Sequence, residues 1–162
     1  MNQAGEALGL GLDHVTRVVM MYTEDLKGND WLHRPCPGAN CAAWIMGHLV
    51  LSARGMMTKI GATDLPALPE GFEKRFGREE SAPKATDFGD TSMLRPMFED
   101  HHKRFAAYAR SLSPEKLSTS LGSDHPFFKT VGTLLAFAPI HIATHAGQIS
   151  TIRRSLGRPP LV

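Results

Sequence analysis

Apolar residues recur along this chain at three- and four-residue steps, and they divide it into four helical stretches. Leu8, Leu12, Val15, Val19, Tyr22 and Leu26 form one stripe, so about residues 7 to 27 read as an amphipathic first helix. Gly28 to Ala39 carries Gly28-Asn29-Asp30 and Pro35-Cys36-Pro37-Gly38, which break helices through backbone restriction and missing donors, and it reads as a loop. Asn40 is a good N-cap for a second helix to about Gly61, with Cys41, Trp44, His48, Leu51 and Gly55 on its stripe. That stripe carries a histidine into the interior.

Ala62 to Asp90 is rich in proline, glycine and charge and reads as a long crossover, with Phe72 to Phe76 as its one short ordered piece. Thr91 or Ser92 is expected to cap a third helix to about Leu112. Leu94, Phe98, His101, Phe105, Tyr108 and Leu112 share one of its faces, and Glu99, Lys103 and Arg110 lie opposite. Ser113-Pro114-Glu115 reads as a cap, a first-turn proline and a short turn, and Gly122 to Lys129 as irregular. The last helix runs from Thr130 to about Leu156 with Gly157 as its stop. Its stripe is Leu134, Ala138, His141, His145, Ile149 and Ile152, and Pro139 is expected to kink it. Four helices of similar length, no strand-like alternation and one long crossover describe an all-α four-helix bundle. In such a bundle helices two and three need not be antiparallel neighbours.

Composition adds little to this picture and excludes some functions. Residues 1–162 suit one domain, long enough to bury a core without metal or disulfide staples, so a metal would serve function first. A net charge of +2 creates no field suited to nucleic acid. No basic-then-apolar leader and no membrane-length apolar run is present, which points to the cytoplasm and away from a membrane partner. Cys36 and Cys41 are too few for a disulfide framework and lack zinc-ribbon spacing, so both read as inert thiols.

The histidines carry the chemistry. His141 and His145 fall within about 20° of the centre line set by Leu134 and Ile152. Four residues of helix separate them by about 6 Å along the axis, which lets two imidazoles converge on one ion. With 8 histidines in the chain, about 0.4 such pairs arise by chance, so the spacing alone is weak. Burial strengthens it: two stacked imidazoles facing a third, His48, in an apolar core are costly unless something binds them. His101 shares its helix's stripe and is open to three readings: fourth ligand, hydrogen-bonding support or satisfied core histidine. His14, His33, His102 and His125 read as solvent-side. Gln148 lies beside the imidazoles as an orienting or substrate-binding amide, or as a helix-packing residue. Cys41, seven residues before His48 and about 10 Å away along the axis, is out of reach of the same ion.

Trp44-Ile45-Met46-Gly47-His48-Leu49, the block from His141 to Ile149 with its HxxxHxGQ pattern, and the closing Arg153-Arg154-Ser155-Leu156-Gly157 resemble the DinB/YfiT-like superfamily over nearly the whole chain. The resemblance implies a four-helix bundle, a homodimer, and a divalent ion held by one histidine of helix two and two of helix four. Those positions are His48, His141 and His145.

Three neutral imidazoles leave a metal's charge uncompensated and a coordination position open, as in catalytic centres. They suit zinc, nickel, iron and copper, and the cofactor expected is one divalent transition metal, foremost zinc, nickel or iron. A coordinated water or thiol would be acidified to a nucleophile. The family includes transferases that use low-molecular-weight thiols, so the first expectation is thiol S-transfer to a small-molecule substrate. The second is hydrolysis by bound hydroxide, disfavoured by the lack of Asp or Glu on the inward stripes of helices two and four. The third is a non-enzymatic metal-binding or sensing module, which requires a closed site, with His101 as the candidate to complete it, and no substrate cavity.

Overall fold

The computed structural model describes residues 2–77, 88–122 and 124–161; part of the expected crossover, 78–87, lies outside them. The long helices are α1 (Gln3–Tyr22), α2 (Ala42–Lys59), α4 (Leu94–Ser111) and α6 (Val131–Ser155), with short helices α3 (Phe72–Phe76) and α5 (Pro114–Leu117) between them. α1 packs on α4 and α6, and α2 packs on the same two helices. The consecutive helices α1 and α2 are therefore diagonal across the bundle, whereas α2 and α4 are neighbours despite the crossover. One contiguous apolar core runs between them. Among the described residues no helix is long and apolar enough to cross a membrane.

Capping sets the helix limits more tightly than the apolar stripes do. α1 begins at Gln3, ahead of the expected start at about residue 7, because the Asn2 side chain accepts from the Ala4 N–H at 3.2 Å. It ends at Tyr22, where the Thr23 hydroxyl donates to the Val19 carbonyl at 2.9 Å; Leu26 is buried from the following loop. Gly28–Leu32, expected as loop, forms a 3-10 turn. Cys41, not Asn40, is the N-cap of α2. Asp90 accepts from the Ser92 N–H at 2.9 Å, so a 3-10 turn over Thr91–Met93 precedes α4. α5 starts at the Ser113 cap, as expected.

α6 opens with a reciprocal cap in which Thr130 accepts from the Thr133 N–H and Thr133 Oγ1 accepts from the Thr130 N–H. It runs without interruption through Pro139. It stops at Gly157, φ +76°, with Arg158 N–H donating to Arg153 O and Gly157 N–H to Arg154 O, each at 3.0 Å. Arg153, nearly fully buried, donates to the Tyr22 carbonyl at 3.2 Å and pairs with Asp25, which fastens the end of α6 to the end of α1.

Two burial patterns differ from the stripes read in the sequence. The core face of α2 is Ile45, Met46, Leu49, Ala53 and Met57; Trp44 and Leu51 are half-buried and Gly55 is exposed. His48 lies about 100° around the helix from Leu49. It is nonetheless buried, because α3 and α6 both cover α2. The short helix comes close: a Cβ on Gly47 would stand 2.2 Å from the Phe76 ring, so only glycine fits beside His48. His102, expected on the solvent side, is buried together with His101, because α4 is covered by α1 on one flank and α2 on the other.

Candidate metal centre

α2 and α6 meet along a seam, and the three histidines singled out by spacing face one another across it. Their ring centroids are 5.5 Å (His48 to His141), 5.1 Å (His48 to His145) and 4.8 Å (His141 to His145) apart. One nitrogen from each can be chosen so that all three lie within 4.8 Å of one another; among the described residues no other His, Cys, Asp or Glu cluster converges in this way. An ion bonded to imidazoles at about 2.1 Å needs donors about 3.4 Å apart, so the rings have to move by less than about 1 Å each. The donor set and its spacing fit a single divalent transition ion.

Neighbouring side chains orient these rings. His145 Nδ1 lies 3.0 Å from Gln148 Oε1; an amide oxygen only accepts, so Nδ1 carries the proton and Nε2 is left as a lone-pair donor. His48 stacks on Trp44 with centroids 4.6 Å apart and planes within 8°, and its Nε2 lies 3.3 Å from the Ser52 hydroxyl. The Gln148 amide is therefore placed where it can orient the His145 ring.

The site sits at the edge of the bundle, not at its centre. His48 and His145 are buried, but His141, expected fully inward, is half-exposed because it stands about 100° from Ile142 at the margin of the buried face of α6. His48 and His141 line a cavity of about 300 Å³, together with Ser52, Lys59, His125 and the aromatic wall of Phe128 and Phe137. Among the described residues no carboxylate lines it.

The remaining histidines separate clearly. His14 is exposed on α1 and His33 is half-buried, its Nε2 2.8 Å from the Ser155 hydroxyl. His101 is buried but does not join the triad, so it does not close the coordination sphere. His101 and His102 each donate Nδ1–H to the carbonyl four residues back, Met97 at 2.9 Å and Phe98 at 2.8 Å. Burial drives the His102 imidazole down to about pKa 4, opposed by its hydrogen bond to the Phe98 carbonyl, and it stays neutral. Cys41 is buried at the start of α2, burial raises its thiol pKa, and it lies outside the cluster, while Cys36 is exposed.

His125, expected to be solvent-side, is instead a cavity residue. An antiparallel bridge between Ser120 and Thr130 closes the base of its loop and folds the loop back over α6. There His125 stacks on Phe128 with centroids 3.9 Å apart. No periodicity marks this residue in the sequence. Ser52 and Lys59, by contrast, follow His48 by four and eleven residues, a helical spacing that places all three on one face.

In fold, the chain is similar to YfiT from Bacillus subtilis, a structure described as a probable metal-dependent hydrolase with an unusual four-helix bundle topology. The TM-score is 0.67 and the identity 17%, over 96% of this chain and 89% of that one. No curated protein matches in sequence. The family model of the DinB superfamily matches residues 12–149. With its bundle topology and a family match over most of its length, the chain belongs to the DinB superfamily.

Proposed function

We propose that the protein is a metal-dependent enzyme in which His48, His141 and His145 hold one divalent transition ion and a low-molecular-weight thiol is the nucleophile transferred to an electrophile. The observation that carries this reading is the convergence of three imidazoles beside a cavity that no described carboxylate lines. When bound, a divalent ion lowers the pKa of a coordinated thiol or water enough to make either a nucleophile near neutral pH. Gln148 and Trp44 keep the imidazoles oriented, and Phe128 and Phe137 limit water at the cavity wall. Among the described lining residues outside the triad, His125 offers an imidazole to take up the thiol proton. The sulfur then forms its bond to the electrophilic carbon as the leaving group departs with its electron pair.

The fold neighbour favours a second reading, hydrolysis, since YfiT is described as a probable metal-dependent hydrolase and His125 could equally serve water as base. The experiment that separates them offers zinc-loaded protein a thiol with 1-chloro-2,4-dinitrobenzene, and separately an activated ester. Metal-dependent conjugate formation supports transfer. Ester cleavage without conjugation, lost on chelation, overturns it in favour of hydrolysis.

A further inference from the structure

The cavity beside the triad has a polarity that says what kind of molecule it takes. At one end stand His48 and His141; at the other, Lys59, the last residue of α2. Eleven residues of helix separate His48 from Lys59, about 16 Å between Cα atoms along the axis, and both line the same space. Lys59 makes no ion pair with any described carboxylate, and among the described residues no acidic one lines the cavity. Between the two ends the wall is mainly apolar, with Phe128 and Phe137 as its aromatic part and Ser52 and His125 as its polar members. Three neutral imidazoles would do nothing to cancel the charge of a bound divalent ion, so with the ion in place both ends would be positive and the wall between them mainly apolar.

We propose that this site selects an extended small molecule with an anionic terminus, a carboxylate in its simplest form, which Lys59 recognises while the opposite end reaches the triad. This inference rests on the metal-centre reading above and adds the substrate class and the residue that discriminates it. An amphipathic lysine suits the place: its methylene stem covers apolar surface while its ammonium meets the anion at the rim. A lysine at a helix C-terminus also complements the helix dipole. That structural role predicts a loss of stability on substitution but no change in ligand preference, so ligand preference separates the two.

The test uses full-length protein loaded with cobalt(II) and three thiols of equal length, 6-mercaptohexanoate, 6-mercaptohexanol and 6-amino-1-hexanethiol. Thiolate-to-cobalt absorption reads the affinity of each. Their linkers are too long for the far group to chelate the same ion, so differences report on the far end of the cavity. In the wild type the carboxylate binds about tenfold tighter than the alcohol, and the amine binds weakest. Lys59→Gln erases the preference, Lys59→Arg keeps it, and Lys59→Glu turns it toward the amine. Equal affinities for acid and alcohol in the wild type, an undiminished preference in Lys59→Gln, or no response to any thiol overturns the inference while leaving the metal site standing. Failure of the wild type to hold cobalt overturns the metal-centre reading, and this inference with it.

Discussion

The imidazole of His145 donates its Nδ1 proton to Gln148 Oε1 at 3.0 Å, one helical turn further along α6. The bond determines which nitrogen of His145 faces the other two rings and holds the ring plane. Gln148 is itself exposed, so its removal should leave the fold intact. Gln148→Leu is expected to weaken metal binding about 10- to 100-fold, and Gln148→Glu, which keeps the acceptor, to preserve it. Competition with a chromogenic chelator measures both. Unchanged affinity in the leucine variant would show that the amide does not orient the ligand.

Gly47 precedes His48 and leaves room for Phe76, whose ring a Cβ would meet at 2.2 Å. Gly47→Ala must push α3 away from α2, at a cost of about 1 to 3 kcal/mol despite alanine's better helix propensity. Chemical denaturation gives this directly, and a stabilised variant would contradict the packing described. Because His48 is the next residue, the same substitution should also weaken metal binding, whereas Gly55→Ala, on open surface, should do neither.

His102 makes stability depend on pH. Its imidazole, ordinarily near 6.5, is held down to about 4 by burial in the folded chain, so between these values the unfolded chain binds the proton and the folded chain does not. The contribution is fully present above about pH 6.5 and is lost as pH falls toward 4, for a total of about 3 kcal/mol. With metal chelated, thermal unfolding from pH 7.5 to 4.5 should show a shallower decline in His102→Phe than in the wild type. Parallel curves would show that His102 is not a buried neutral group.

Arg153 and Asp25 join the ends of α6 and α1. The guanidinium is nearly fully buried, while the carboxylate is about half-exposed and also pairs with Arg158 at 2.7 Å. Asp25→Ala leaves a buried charge with only the Tyr22 carbonyl to meet it and is expected to cost about 2 kcal/mol. Arg153→Met should cost less, since it removes the buried charge as well. Reversal of that order in denaturant unfolding would contradict the account.

The residues that were legible in the sequence are those whose placement follows from one helix. His141 and His145 could be paired because four residues bring side chains to one face, and His48 stood out in an apolar helix. What one helix cannot show is how many neighbours cover it. α2 is covered by α3, α4 and α6, so its stripe named Trp44 and Gly55 as core when Leu49 and Met57 fill it. α4 lies between α1 and α2, so both His101 and His102 are buried where a single stripe admitted one. His125 was hidden for a different reason: a backbone bridge between distant loop residues brings it to the cavity, and no periodic pattern records such a bridge.

If three imidazoles from α2 and α6 form one metal site, elemental analysis will show it. Purified wild type and a His141→Ala, His145→Ala double variant would be dialysed against the same mixture of zinc, nickel and iron salts, and their metal content compared after confirming equal helicity. About one equivalent is expected in the wild type and none in the variant. Equal metal in both proteins, or none in either, would contradict it.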